Sequence, residues 1–329
     1  MTKISVVLPV YNCEEFIFET VASILNQTYK DFELIIVDDF SSDNTVSVIE
    51  QFKDFRIKLI KKEKNTGYTD SLNYAISIAK GEYIARMDGD DVCVSTRFEK
   101  QVAFLENNPD VVLCGTAIKF IGLDNGVKIY PLSHDSIKIK LCFGTPFCHP
   151  SVMGKKQVFL QAPYDKKFEP AEDIHLWSRI VNVGKVVNLD EVLLHYRAHS
   201  NQVSVSNREI QKQNSFFVRM EYLKNFALKD KFSDEELKII FIHDKIHSLQ
   251  ECEIVIKFFK YLESKNFLIN EFDVKEFNLM IDNIKLNMLK SFFNLKTFFR
   301  FDSLLFFIKH SNFTDAIKIL NFKKRIKLF

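Results

Sequence analysis

The first 91 residues alternate four times between a short apolar run and a segment with helical periodicity. The apolar runs are residues 4–10, 32–37, 57–60 and 83–87. Continuous runs rich in β-branched residues are typical of strands that are buried on both faces of a parallel sheet. The alternation therefore predicts an α/β, Rossmann-like fold, with a mostly parallel central sheet flanked by helices.

Carboxylates collect where two of these predicted strands end. Asp38 and Asp39 follow the second strand, and Asp88, Asp90 and Asp91 follow the fourth. In open α/β sheets ligands bind at the carboxyl ends of the strands. Clustered carboxylates repel one another unless a cation lies among them, and their oxygens suit Mg²⁺ or Mn²⁺. Taken alone, the second cluster fits a solvated Asp-Gly turn equally well, and helix capping explains a single Asp.

The usual phosphate-binding loops are absent from the sequence. No G-x-G-x-x-G follows the first predicted strand, and G-x-x-x-x-G-K-[ST] occurs nowhere. A phosphate ligand would therefore need its charge offset by a metal rather than by a glycine-rich loop.

Cysteine usage and hydropathy predict a cytoplasmic protein. The six cysteines contain no C-x-x-C pair, which argues against a disulfide framework or a zinc ribbon. The N-terminus enters a strand pattern directly, without the features of a signal peptide. No run approaches the roughly 20 apolar residues that a membrane span needs.

The sequence pattern changes at about residue 205. Glycine and proline are absent from residues 207–329, helical spacing continues to the end, and this part carries a net charge of +6 against −4 for residues 1–206. We therefore expect a catalytic domain over residues 1–205 and a helical region over residues 206–329.

The last 45 residues combine ten Lys/Arg with two Asp/Glu and ten Phe. This composition fits a helical bundle with a solvated basic face. It also fits peripheral docking on the anionic inner face of a membrane, or a homodimer contact. Nucleic acid is not an expected partner, because the acidic strand ends would repel its backbone.

Six motifs, taken in order, resemble those of the family 2 inverting glycosyltransferases with the GT-A fold, of the type that builds bacterial polysaccharides and lipopolysaccharides. The resemblance covers about residues 1–205. The motifs are Val-Val-Leu-Pro-Val-Tyr-Asn at 6–12, Val-Asp-Asp-Phe-Ser-Ser-Asp-Asn-Thr at 37–45, Asn-Thr-Gly at 65–67, Ala-Arg-Met-Asp-Gly-Asp-Asp at 85–91, His-Pro-Ser-Val-Met at 149–153, and Glu-Asp at 172–173 before Leu-Trp at 176–177. The chain departs from the usual pattern at Phe40, where glycine often follows the paired Asp, and at Tyr68-Thr69-Asp70, where smaller residues are usual.

The resemblance implies metal-assisted transfer of a sugar, with inversion, from a nucleotide-diphosphate donor. The donor is most often a UDP-sugar, and the acceptor is a hydroxyl of a growing glycan or a lipid-linked saccharide. Mn²⁺ or Mg²⁺ would be bound by Asp88, Asp90 and His199. The donor would be bound by Pro9, Tyr11, Asn12, Asp38, Asp39, Asn65, Gly67, Arg86, Asp88 and Arg197.

The same resemblance assigns the general base to Asp173, with Glu172 as the competing candidate. A carboxylate in a partly desolvated cleft can accept a proton near neutral pH. Without the resemblance, both residues would simply offset the positive N-terminal end of a helix dipole. His149 and Trp177 are placed on the acceptor side, although Trp177 also fits simple core packing.

Two other functions fit a similar sheet. A nucleotidyltransferase would also use metal-binding carboxylates but would release pyrophosphate, and it usually has a basic glycine-rich loop after the first strand, which is absent here. A non-catalytic nucleotide-binding scaffold would not need Asp173.

Overall fold

The computed structural model of the protein describes residues 2–200 and 207–292. The chain divides into two compact units, Met1–Val218 and Arg219–Phe329, whereas the sequence predicts a boundary near residue 205. Most of the basic, Phe-rich segment at the C-terminus lies outside the described residues.

The described part of the first unit is built on a nine-stranded sheet, with strand order β3-β2-β1-β4-β8-β6-β9-β5 and β7 paired with β6. The first four strands are parallel, as the sequence predicts, and the α/β fold class is confirmed. The strands are β1 (Ile4–Val10), β2 (Phe32–Asp38), β3 (Ile57–Lys61), β4 (Tyr83–Arg86), β5 (Val92–Cys93), β6 (Val111–Gly122), β7 (Gly126–Lys128), β8 (Met153–Lys155) and β9 (Lys185–Ala198).

The other half of the sheet is mixed. β8 runs antiparallel to both β4 and β6, and it joins the parallel half to the remaining strands. β6 and β7 form the hairpin that the sequence predicts over residues 120–130. β9 is one strand of 14 residues that pairs with β6 through several register shifts.

Helices cover the sheet because each presents an apolar face to it. In the first helix Ile17, Val21 and Ile24 are fully buried, as their spacing predicts. The helices that begin in this unit are α1 (Ile17–Leu25), α2 (Thr45–Ile49), α3 (Tyr68–Ile78), α4 (Arg97–Asn107), α5 (His134–Leu141), α6 (Lys156–Gln161), α7 (Glu172–Ile180) and α8 (Arg208–Tyr222).

Two helix ends differ from expectation. The sequence suggests that Asn12 caps a helix with Glu15, but α1 begins only at Ile17. Asn12 has a left-handed φ of 49°, and its side-chain oxygen instead accepts a hydrogen bond from the Ser42 N–H at 2.8 Å. Gly81 does not end α3 as a C-cap. A Cβ there would lie 2.4 Å from the Ser5 nitrogen, so this glycine permits close approach to β1.

The second unit is helical over its described residues, as predicted. Its helices are α9 (Asp234–Phe241), α10 (Leu249–Ile269) and α11 (Val274–Phe292), and Ser233 begins α9 with a capping box. Stacked rings of Phe226, Phe272 and Phe277 contribute to its core. Among the helices described, none has the length and apolar character to cross a bilayer.

Candidate active site

A cleft of about 830 Å³ lies in the first unit, where the residues that follow β1, β2 and β4 come together. It has polar and aromatic walls, and most of the sequence-predicted site residues line it. These are Pro9, Tyr11, Asn12, Asp39, Asn65, Gly67, Arg86, Asp88, Asp90, His149, Glu172, Asp173 and His199.

Asp39 joins the end of β2 to the loop that precedes α3. Its carboxylate accepts hydrogen bonds from the Thr66 N–H at 3.0 Å, the Gly67 N–H at 2.8 Å and the Lys62 ammonium at 2.9 Å. Burial acts to raise the pKa of Asp39, but the Thr66 N–H and Lys62 outweigh it and hold the pKa below its ordinary value. Asp39 is therefore ionised, and its hydrogen bonds hold this wall of the cleft in place.

Gly67 is needed at this wall because of its backbone conformation. Its φ is +94°, a region that side chains rarely adopt, and an added Cβ would lie 3.3 Å from the Glu169 carboxylate. The Asn65 side-chain oxygen accepts a hydrogen bond from the Gly67 N–H at 3.1 Å. The Asn-Thr-Gly motif thus forms a tight turn that brings α3 to the cleft.

Three carboxylates form a cluster at the end of β4. Asp88, Asp90 and Asp91 each offer a ligand oxygen within 4.8 Å of the others. Asp90 contacts His199 Nε2 at 2.8 Å, while Asp88 accepts a hydrogen bond from Arg86. These four carboxylate and imidazole groups are a donor set that suits a divalent cation.

The electrostatics of this cluster also fit a cation. Burial raises the pKa of Asp88, with the Arg86 charge opposing this effect and the Asp90 charge adding to it. Burial and the charges of Asp90 and Asp88 raise the pKa of Asp91 well above its ordinary value. Asp91 Oδ1 accepts a hydrogen bond from the Arg197 N–H at 2.8 Å, but its buried Oδ2 has no hydrogen-bond partner among the described residues. A divalent ion would relieve this repulsion.

Arg97 of α4 stabilises the backbone at the end of β4, immediately before the acidic cluster. This side chain is fully buried, and it donates hydrogen bonds to the carbonyl oxygens of Arg86 at 3.0 Å and Val152 at 3.3 Å. It therefore ties the end of β4 to the segment that enters β8. Arg97 could not be identified from the sequence, because it lies in an ordinary helix outside every motif.

Asp173 lies in the first turn of α7, facing the same cleft. Its Oδ1 accepts a hydrogen bond from the Ile174 N–H at 2.7 Å, and Thr145 Oγ1 lies 3.5 Å from its Oδ2. Burial raises the pKa of Asp173, although the Ile174 N–H and the Arg86 charge oppose the shift. The residue is a half-buried carboxylate that can accept a proton from a group in the cleft.

Glu172, the competing base, is held in a buried polar network. It is 3% exposed, accepts a hydrogen bond from the Tyr68 hydroxyl, and lies 3.9 Å from His149 Nδ1. Burial, followed by the charge of Asp173, raises the pKa of Glu172 to about 8. His149 does not neutralise it, because burial and the Arg86 charge lower the pKa of His149 well below its ordinary value. Burial therefore favours the uncharged form of Glu172.

Comparison with known proteins identifies the family. The sequence model of "Glycosyl transferase family 2" matches residues 5–161. The Escherichia coli enzyme "UDP-Glc:alpha-D-GlcNAc-diphosphoundecaprenol beta-1,3-glucosyltransferase WfaP" is 34% identical over 223 residues, which cover 65% of this chain and 85% of that protein. The chain belongs to glycosyltransferase family 2.

Solved structures support the GT-A-like fold of this glycosyltransferase. TarS 1–349 of S. aureus in complex with UDP-GlcNAc matches with a TM-score of 0.59 at 17% identity, covering 87% of this chain and 92% of that one. The mannosyltransferase PcManGT from Pyrobaculum calidifontis in complex with GDP-Man and Mn²⁺ matches with a TM-score of 0.54 at 17% identity, covering 97% and 87%.

Three predicted site residues of the glycosyltransferase do not line the cleft. Asp38 is buried and accepts a hydrogen bond from the Ser41 N–H at 3.2 Å. Trp177 is fully buried, with its ring 5.2 Å from Phe147 and 5.7 Å from His149, so it packs against these two lining residues and does not itself line the cleft. Its large apolar ring is more stable in the core than at the cleft surface.

Arg197 is the third of these residues. It donates a hydrogen bond to the Asp90 carbonyl at 2.8 Å, pairs with Glu19 and lies over the Phe16 ring at 4.8 Å. These contacts tie β9 to the acidic loop, which accounts for the position of the guanidinium away from the cleft.

The glycosyltransferase cleft contains residues that the sequence analysis missed. Tyr68 and Thr145 contact the two candidate base residues, as described above. Further examples are Ile118, Phe120, Lys128, Tyr130, Phe147, Tyr196 and Gln211. Most come from β6, β7 and β9, whose pairing brings distant segments to the cleft. Of these residues, Tyr68 is the one that the sequence could have indicated, because the family usually has a smaller residue at this position.

Replacing Glu172 by glutamine is expected to flatten the dependence of stability on pH. Glu172 has an ordinary pKa of 4.5, raised to about 8 in the folded protein, so the folded state binds an extra proton between these values. Stability therefore falls as pH rises through this window. Glutamine cannot ionise and removes this contribution. Melting temperatures of both proteins across the window test the expectation, and parallel curves would contradict it.

Proposed function

We propose that this glycosyltransferase moves a sugar from a nucleotide-diphosphate donor, preferably a UDP-sugar, to an acceptor hydroxyl with inversion. The observation that carries the proposal is that one cleft is lined both by Asp88 and Asp90 of the acidic cluster and by a separate carboxylate, Asp173. The UDP-GlcNAc in TarS and the GDP-Man with Mn²⁺ in PcManGT, on a similar fold, support this choice of donor.

The acidic cluster would hold Mn²⁺ or Mg²⁺ through Asp88, Asp90 and Asp91, with His199 beside Asp90. When bound, such an ion offsets the charge that develops on the departing diphosphate. Arg86 contributes a positive charge of its own at this place, since its guanidinium is buried, lines the cleft and pairs with Asp88. Tyr11, 52% exposed at the end of β1, offers a ring for the nucleobase.

Asp173 would take the proton of the attacking hydroxyl. The hydroxyl oxygen forms a bond to the anomeric carbon, the bond from that carbon to the phosphate oxygen breaks, and the nucleoside diphosphate leaves. Attack on the face opposite the leaving group inverts the anomeric centre in a single displacement. The hydrogen bond from the Ile174 N–H orients the carboxylate for this role.

The acceptor is proposed to be a growing glycan or a lipid-linked saccharide in bacterial polysaccharide synthesis. Tyr130, Tyr196 and Phe120 line the cleft, and aromatic side chains suit sugar rings. WfaP, by its name, acts on a sugar linked to diphosphoundecaprenol. We propose a cytoplasmic location, supported by six free thiols, with peripheral membrane docking or dimerisation through the helical region.

Product analysis tests the proposal. With a panel of UDP- and GDP-sugars and Mn²⁺, the protein is expected to release a nucleoside diphosphate. Release of pyrophosphate in place of nucleoside diphosphate would identify a nucleotidyltransferase. Binding of donor without turnover, with or without glycan acceptors, would favour a non-catalytic scaffold.

A further inference from the structure

Two side chains of α8 donate hydrogen bonds to the loop that leads into α7. Gln211 Nε2 donates a hydrogen bond to the Pro170 carbonyl at 3.0 Å, and Asn214 Nδ2 donates one to the Glu169 carbonyl at 2.8 Å. Gln211 also lines the cleft. Both residues lie beyond the stretch matched by the family model and beyond the catalytic domain that the sequence predicts.

The start of α7 depends on such outside contacts. Ala171, its N-cap residue, provides no side-chain cap, although the two acidic residues that follow it form the first turn. A helix start without an N-cap side chain lacks one of the usual partners of its first N–H groups and is less stable for it. The two carbonyls that α8 holds belong to the residues immediately before Ala171. The contacts from α8 therefore hold the backbone immediately before α7.

We propose that the first turns of α8 clamp the loop before α7, and that Gln211 and Asn214 are positioning residues for Asp173. The inference rests on the proposed function, since it concerns how the base of that reaction is placed. The clamp gives the first turns of α8, which belong to the first unit, a part in catalysis. A displacement of a reacting group by about 1 Å can cost up to about 10²-fold in rate, so two hydrogen bonds at this point carry a large effect.

The variant Asn214→Asp tests the clamp with almost no change in shape. The aspartate has the same size but turns the donor into an ionised acceptor that faces the Glu169 carbonyl. Gln213→Glu is the matched control, since it adds the same charge to an exposed position on the same helix. Asn214→Ala, which removes the donor without adding charge, serves if the aspartate variant does not fold.

We expect Asn214→Asp to lower kcat about 10-fold or more, while the donor KM and the melting temperature stay close to those of Gln213→Glu. Amide hydrogen exchange over residues 169–175 is expected to be faster in Asn214→Asp than in the control. Equal kcat in the two variants would overturn the proposal. A lower kcat accompanied by an equal loss of donor affinity and of melting temperature would also overturn it. If the wild-type protein transfers no sugar, the proposed function fails, and hydrogen exchange still decides whether the clamp exists.

Discussion

Replacing Asp173 by asparagine (Asp173→Asn) is expected to lower kcat for sugar transfer by about 10²–10⁴-fold, the usual contribution of a general base. The amide keeps the hydrogen bond that the Ile174 N–H donates to the side-chain oxygen. It cannot accept the proton of an attacking hydroxyl. The donor KM is expected to change little, because the role proposed for Asp173 is to take a proton from the acceptor. Steady-state kinetics with one donor and one acceptor measure both quantities.

Glu172→Gln is the matched control for this experiment. It makes the same chemical change in the adjacent residue, and it mimics the uncharged form of Glu172 that burial favours. We expect it to keep kcat within a few-fold of the wild type. The reverse result, with Glu172→Gln inactive and Asp173→Asn active, would move the base to Glu172.

Asp88→Asn and Asp90→Asn are each expected to lower kcat by at least about 10²-fold and to weaken Mn²⁺ binding. Metal ions contribute several kcal/mol of charge stabilisation at such sites, and each factor of ten in rate corresponds to about 1.4 kcal/mol. Either change removes one carboxylate from the cluster of three. Electron paramagnetic resonance of Mn²⁺ measures binding without reference to activity.

Asp124→Asn is a suitable control, since this carboxylate is exposed between β6 and β7 and lies outside the cleft lining. It is expected to bind Mn²⁺ and turn over like the wild type. Unchanged Mn²⁺ binding in both cluster variants would contradict the assignment of the acidic cluster as the metal site.

The parallel half of the fold could be predicted because its information is local. Apolar runs rich in β-branched residues, such as residues 4–10, are typical of strands buried on both faces, and Asp39 and the acidic cluster follow directly after such strands. The helix at Glu172 was predictable for a similar reason. Its two carboxylates fit a helix N-terminus, and the family resemblance gave them a role.

The remaining features depend on contacts between distant segments. The antiparallel insertion of β8 between β4 and β6 and the 14-residue length of β9 follow from partners that no local pattern reveals. The same applies to Arg97, which donates hydrogen bonds to two carbonyls from different segments. It also applies to Trp177, which is fully buried in the core and does not line the cleft. The contribution of α8 could not be predicted, because its composition matches that of the C-terminal helical residues. Its hydrogen bonds nevertheless join it to the loop before α7.

The most direct test of the proposed donor is the melting temperature of the wild-type protein with nucleotide-sugars, in the presence and absence of Mn²⁺. A ligand that binds only the folded state at about 100 times its Kd stabilises a protein by about 2.7 kcal/mol. We predict that at least one UDP- or GDP-sugar raises the melting temperature, and that Mn²⁺ increases the shift. If no nucleotide-sugar changes the melting temperature with Mn²⁺ or Mg²⁺ present, the proposed donor class is contradicted.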